Sequence, residues 1–349
     1  TPSFTFSSSV NAFVMFGGIP VFVDIRPDTM NINEKLIEGA ITNKTKAIMV
    51  VHYAGVSAEI EKILEIAHRY KLIVIEDAAQ AVNAKYKGKY LGTFGDFGCY
   101  SFHETKNYSM GEGGAICINN PKYINRAAII REKGTNRTQF KNGQVDKYTW
   151  VDVGSSYLPS DILAAYLYPQ LLVMDEINAD RINSFNEYYK DLEILGKSGI
   201  LELPTIPDFC DINGHIFYIK VKDLNEREEL QSYLRKKGIG SAFHYIPLHS
   251  SPAGKKYGRF NEAVSFVDYF REKSCGIFLD EPTIGLDVVS KKNLRDLLRK
   301  INEEQGVTIF LTSHDTEDIE SICDRCIIIN KGNIIIDLPT KKLMNEYIK

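Results

Sequence analysis

The chain has 349 residues, 44% of them hydrophobic and 25% charged, a balance that builds sizeable buried cores and excludes disordered and collagen-like classes. Forty-two Lys and Arg against forty-five Asp and Glu leave a formal charge of -3, so no bulk field points to nucleic acid or to an anionic membrane as partner. No apolar run approaches the roughly 20 residues that a bilayer-spanning helix needs, the N-terminus lacks a secretion-signal pattern, and six scattered cysteines make no disulfide framework; a cytoplasmic protein is expected.

In chain order, β-branched runs at 21–25, 47–53, 72–77 and 98–102 alternate with helical patterns. That alternation predicts an α/β fold with a largely parallel sheet. Between two of these runs, residues 58–70 place Ile60, Ile63, Leu64 and Ala67 at helical spacing, so this helix should cover one sheet face. A glycine-rich hairpin or loop is expected over 86–98, and helices over 121–133 and 159–192, the second starting near Pro159, where proline fits a first turn. Past Pro204 and Pro207 the pattern changes to a strand over 215–221 and a helix over 225–237, as in a smaller α+β domain, with the boundary near 195–210. A further β-α-β unit opens at 276–281, runs through a charged helix at 288–304 and returns to a strand at 307–314. The expected domains are 1–200, 201–262 and 275–349, and residues 261–274 are assigned to none of them.

Three groups fall where α/β sheets do chemistry, at the carboxyl ends of strands. Asp77 closes the run L-I-V-I-E-D, and Ser101 and Lys106 stand in S-F-H-E-T-K-N ahead of Gly111, Gly113 and Gly114. Each alone has an ordinary explanation: a helix cap, a surface charge, a turn. Together they supply what pyridoxal phosphate needs, namely an amine for its aldehyde, a carboxylate opposite its ring nitrogen and a hydroxyl for its phosphate. A ring kept protonated withdraws electrons from the carbon that loses a proton, and Lys106 is placed to move that proton. The predicted reaction class is amino transfer.

The runs P-S-F-T-F (2–6), F-V-D-I-R-P-D-T-M-N-I (22–32), V-H-Y-A-G (51–55), E-D-A-A-Q (76–80), S-F-H-E-T-K-N (101–107) and G-E-G-G (111–114) resemble the DegT/DnrJ/EryC1/StrS nucleotide-sugar aminotransferases, over about residues 1–260. That resemblance implies the type I, aspartate-aminotransferase fold of the pyridoxal-phosphate-dependent transferases. It also implies roles: Lys106 bonds the cofactor aldehyde, Asp77 pairs with the ring nitrogen, Gln80 supports the ring or its 3-hydroxyl, and Ser101 binds phosphate. Ser156 stands where many members carry an Asn that reaches a neighbouring subunit's phosphate, so a homodimer is implied. Phe6 is a candidate for stacking near the cofactor, and His103, Lys147 and His249 for the substrate side. Further runs at 131–140, 143–150, 154–158 and 243–249 are similar to the branch serving enterobacterial common antigen synthesis. This branch takes glutamate as amino donor and a dTDP-4-keto-6-deoxyhexose as acceptor. Related dehydratases carry histidine in place of the lysine, so Lys106 favours transfer. Family members begin well upstream of Thr1 and continue the small domain further, and the expectation is therefore a truncated version of the fold.

A second set of motifs lies near the C-terminus. I-F-L-D-E (277–281), P-T-I-G-L-D (282–287) and S-H-D (313–315) resemble the second half of an ABC-transporter ATPase. By that resemblance Asp280 and Glu281 form a Walker B pair, Asp287 a D-loop and His314 a switch histidine. A phosphate-cradling G-x-x-x-x-G-K-[ST] is missing, because the one G-K-S, Gly196-Lys197-Ser198, has Asp191 in place of the first glycine and follows a helical stretch. Cys323-x-x-Cys326 lacks the second pair a zinc site requires, and no metal is predicted. The sequence therefore reads as a partial P-loop-NTPase-like segment joined to the interior of an aminotransferase.

Overall fold

The computed structural model describes residues 1–237, 239–260, 276–278, 325–330 and 333–342. Asp280, Glu281, Asp287, His314 and Cys323 lie outside the described residues, as do the predicted helix at 288–304 and strand at 307–314. The chain divides into two compact units, residues 1–232 with 241–280, and residues 233–240 with 281–349.

In the first unit, helix α1 (Ser8–Val14) precedes a short strand, β1 (Val21–Phe22). The predicted strand over 21–25 is thus divided, continuing only as single bridges from Val23 to Pro2 and from Ile25 to Ile32. Helix α2 (Glu34–Ala40) is capped by Asn33, whose side chain accepts from the Lys35 amide at 3.1 Å. Strand β2 (Ala47–Val51), helix α3 (Ile60–Tyr70) and strand β3 (Ile73–Asp77) then form a β-α-β unit. Ile60, Ile63 and Ala67 are buried as their spacing requires, with Ile66 added and Leu64 packed at the margin. Each of the two fully buried isoleucines stabilises the layer by about 1.5–3 kcal/mol.

The connection that follows is a hairpin, β4 (Lys85–Tyr86) and β5 (Lys89–Tyr90), within the region expected to be glycine-rich. Its two turn residues, Lys87 and Gly88, both have positive φ, as a twist-matched two-residue turn requires. Strands β6 (Phe97–Ser101) and β7 (Gly114–Ile118) complete a four-stranded sheet in the order β2-β3-β6-β7. β2, β3 and β6 are parallel and β7 is antiparallel, with Val51 beside Asp77, Asp77 beside Cys99, and Ser101 beside Gly114. The carboxyl ends of β3 and β6 therefore stand together, and the loop from 102 to 113 rises from that edge.

Helices α4 (Ile124–Arg131) and α5 (Arg137–Lys141) follow. The long helix predicted over 159–192 is two helices, α6 (Asp161–Leu172) and α7 (Met174–Lys197), parted at Val173. Pro159 lies outside the first turn, because Ser160 caps α6 by accepting from the Leu163 amide at 3.3 Å. Strand β8 (Cys210–Asp211) pairs with β4. The strand predicted over 215–221 shrinks to β9 (Tyr218–Lys220), since residues 213–215 make hydrogen bonds to side chains near the sheet edge and not to a ladder. After α8 (Leu224–Lys236) come α9 (Pro252–Tyr257) and β10 (Arg259–Phe260), which pairs parallel with β1. Strand β11 (Gly276–Phe278), where sequence reading starts a separate segment, pairs antiparallel with β9. In the second unit, β12 (Arg325–Asn330) and β13 (Asn333–Pro339) form an antiparallel pair. Among the described residues no helix is long and apolar enough to cross a membrane.

Candidate active site

Two adjacent carboxylates end β3, and the alternation of a strand sends them to opposite faces. Glu76 is fully buried and accepts from the amides of Gly92, Phe94 and Gly95 at 2.7–2.8 Å and from His52 Nε2 at 3.0 Å. The His52 Nδ1 accepts from the Ala58 amide, so its hydrogen sits on Nε2. Burial alone would raise the Glu76 carboxyl, but the His52 hydrogen bond and the backbone donors bring it below its ordinary value. Asp77 emerges on the other face. Its Oδ2 accepts from Ser9 Oγ at 2.6 Å and its Oδ1 from the Ala79 amide at 3.1 Å, which fixes the carboxylate while leaving it half-buried.

Lys106 stands in the loop between β6 and β7, its backbone amide bonded to the His103 carbonyl at 2.9 Å. Burial lowers the Lys106 amine below the usual lysine value, and the negative charge of Asp77 pulls the other way. The two groups predicted as partners thus share one electrostatic environment. Ser101, the last residue of β6, accepts from the His103 amide at 3.3 Å, and its hydroxyl stands at the strand end where the loop begins. A half-buried amine, a carboxylate pinned by two donors and a hydroxyl at one sheet edge fit the needs of a pyridoxal phosphate group: Lys106 would hold its aldehyde, Asp77 its ring nitrogen and Ser101 its phosphate.

Gln80, in the turn after Asp77, is buried, with Oε1 accepting from the Ala54 amide at 2.6 Å and Nε2 donating to Tyr245 Oη at 3.0 Å. Burial and the charge of Asp77 raise the Tyr245 hydroxyl. His244 stacks on Tyr245 at 3.7 Å between centroids, and its Nδ1 lies 3.1 Å from Tyr53 Oη. Burial, assisted by the charge of Lys106, pushes His244 down to about 3, so it is neutral at physiological pH.

Of the remaining candidates, Phe6 is 58% exposed with its ring 6.2 Å from that of Tyr245, at the rim of this cluster. His103 stands on the Lys106 loop, its Nδ1 bonded within Thr105 and its Nε2 3.6 Å from Glu112 Oε1. His249 is buried, with Nδ1 2.6 Å from Ser3 Oγ and its ring packed toward Phe260. Lys147 and Ser156 are exposed, Ser156 in a single bridge to Glu132. Sequence reasoning missed Ser9, Asn107, Asn213, His215, His244 and Tyr245. Asn107 sits within S-F-H-E-T-K-N, His244 and Tyr245 within the run at 243–249, and Asn213-Gly214 is a turn signal, but Ser9 carries no local mark.

The sequence model of the DegT/DnrJ/EryC1/StrS aminotransferase family matches residues 1–266. An uncharacterised protein of Methanocaldococcus jannaschii is 37% identical over 292 residues, covering 80% of this chain and 74% of that protein. Among solved structures, a DegT DnrJ EryC1 StrS aminotransferase from Brucella abortus is similar with a TM-score of 0.71 and 26% identity, over 84% of this chain and 76% of that one. DesV of S. venezuelae, crystallised with a ketimine intermediate, is similar with a TM-score of 0.69 and 28% identity, over 89% of this chain and 78% of that one. With the strand-end carboxylate, the loop lysine and a family match over three quarters of its length, the chain belongs to the DegT/DnrJ/EryC1/StrS aminotransferase family, whose transaminases depend on pyridoxal phosphate.

Proposed function

We propose that Lys106, Asp77, Gln80 and Ser101 form the reactive centre of a sugar aminotransferase that moves an amino group from glutamate to the 4-keto carbon of a dTDP-4-keto-6-deoxyhexose, giving dTDP-4-amino-4,6-dideoxygalactose. The observation that carries the reading is the Asp77 carboxylate, pinned by Ser9 and the Ala79 amide at the end of β3, beside the end of β6 from which the Lys106 loop departs. When bound, pyridoxal phosphate supplies an electron-withdrawing ring that stabilises charge on the carbon losing its proton. Asp77 holds fixed negative charge where the ring nitrogen is to stay protonated, and Ser9 and the Ala79 amide keep that carboxylate from turning away. Lys106, with its amine disengaged, takes and returns a proton at the carbon bearing the amino group, a task that favours an amine below the ordinary lysine value. Ser101 donates to phosphate. Borohydride treatment of the protein with pyridoxal phosphate is expected to label the peptide containing Lys106 and to leave the Lys106→Ala variant unlabelled. Label on another peptide, or none, overturns the assignment.

The choice of sugar is supported by the branch-specific runs at 131–140, 143–150, 154–158 and 243–249. His103 and Lys147 are proposed for the substrate side. A homodimer is supported by a stretch of apolar residues facing outward between Tyr148 and Val173, and Ser156 within it would reach a phosphate bound by the partner copy.

A second reading attaches only to the C-terminal segment. The family match ends at residue 266, and the ATPase-like series Asp280, Glu281, Asp287 and His314 follows it. We infer that this segment derives from a transporter ATPase and, without a phosphate-cradling loop, binds no nucleotide on its own. No thermal shift with ATP and Mg2+ is expected, and a saturable shift would overturn that inference.

A further inference from the structure

Residues 213–215 reach the sheet edge from a distant part of the chain and join three segments of the site. Asn213 Nδ2 donates to the carbonyls of Gln80 and Val82, both at 2.9 Å, on the turn that follows Asp77. Asn107, the residue after Lys106, donates from Nδ2 to the Asn213 carbonyl at 2.9 Å and presents Oδ1 to His215 Nδ1 at 2.7 Å. From α7, Arg181 donates to the Gly214 and His215 carbonyls at 3.2 and 3.1 Å. Gly214 has φ +58°, and a Cβ there would lie 2.7 Å from the Arg181 backbone, so the loop closes this tightly only with glycine.

The hydrogen-bond directions fix the state of the imidazole. Turning the Asn107 amide over would set its oxygen against the Asn213 carbonyl, so Oδ1 faces His215, and an amide oxygen only accepts. Nδ1 must therefore carry the hydrogen, and a neutral ring then has its lone pair on Nε2. Neutrality is enforced from all sides: burial lowers His215 well below its ordinary value, and Lys106, Arg181 and His244 add to that lowering.

We infer that His215 is a positioning residue for Lys106: as the neutral Nδ1–H tautomer it locks Asn107, and through it the backbone that carries the reactive amine, to the turn following Asp77. The lock sets how deeply the amine is buried without adding a second positive charge beside it. This inference rests on Lys106 being the reactive amine, as proposed above.

The test has two arms on the cofactor-free full chain. With 15N-labelled histidine, the nitrogen shifts of His215 are expected to show the Nδ1–H tautomer, unchanged from about pH 5 to 9, where an ordinary histidine titrates. In competitive acetylation read by peptide mass spectrometry at neutral pH, His215→Phe is expected to make Lys106 about tenfold less reactive, one pKa unit, as its loop loosens into water. His215→Asn, whose amide nitrogen can replace Nδ1 as donor, should stay within about twofold of wild type. An Nε2–H tautomer, a His215 titrating near its ordinary value, or Lys106 reactivity unmoved by His215→Phe overturns the inference. The first arm decides the matter if His215→Phe fails to fold. Failure of the borohydride label at Lys106 would instead remove the amine assignment and leave the tautomer result standing.

Discussion

In the central sheet Val50 and Val74 are 0–1% exposed, whereas between Tyr148 and Val173 Trp150, Val153 and Ile162 are 71–80% exposed. Both regions are rich in apolar side chains, so composition does not separate them. The difference lies in what covers them. α3 and the 84–91 hairpin close over the sheet from within the chain, while the second stretch leaves large apolar side chains exposed, and exposed apolar surface is what contacts between molecules cover. The proposed reactive groups sit on the self-covered region, Asp77 at the end of β3 and Lys106 on the loop that leaves β6, and the open region is where a second copy is expected.

The largest effect expected is chemical. Lys106→Ala should lower amino transfer by about a thousandfold or more, because both the anchoring amine and the proton carrier disappear. Asp77→Asn should cost about a hundredfold with both hydrogen bonds at its oxygens partly kept, and in each variant an unchanged thermal melt would show that the sheet does not depend on these groups. Glu76→Ala should do the converse: removing the acceptor shared by His52 Nε2 and three loop amides leaves buried donors unsatisfied and is expected to cost about 3 kcal/mol, read as a fall in melting temperature. The pH dependence follows from the lowered Glu76 carboxyl. Its contribution to stability is complete above the ordinary value of 4.5 and is lost as pH falls through the lower folded value, so acid unfolding should begin at higher pH if the Gly92, Phe94 and Gly95 donors are not made. The smallest effect on folding is expected from Ile162→Asp with Tyr166→Ser, within about 0.5 kcal/mol for exposed sites, while light scattering shows loss of the dimer. The single tryptophan, Trp150, gives a second reading, since its emission should shift to shorter wavelength as protein concentration rises. A monomer at all concentrations would break the comparison.

How far the sequence disclosed this arrangement depended on sequence distance. Asp77 and Lys106 were legible because a strand ending in a carboxylate and a polar loop before three glycines are local patterns, and α3 was legible from the spacing of Ile60, Ile63 and Ala67. The pairings of Ser9 with Asp77, 68 residues away, and of Tyr245 with Gln80, 165 residues away, were not, because a hydrogen bond closed by tertiary folding leaves no periodic trace. The antiparallel course of β7 escaped for a similar reason: the loop carrying Lys106 returns directly, and only pairing reveals its direction. His215 read as the start of a strand, yet its ring serves Asn107 and its segment leaves the ladder.

One carboxylate organises the passage between β3 and β6. Parallel neighbours are ordinarily joined by a helix, but here the chain returns through a small hairpin, and Glu76 gathers three successive-loop amides together with His52. That difference divides the passage into a permissive part and a forbidden one for anyone splicing a peptide tag into the gene. An insertion between Lys87 and Gly88 would lengthen an exposed tip, whereas the same insertion between Thr93 and Phe94 would pull amides off an anion with no water to replace them.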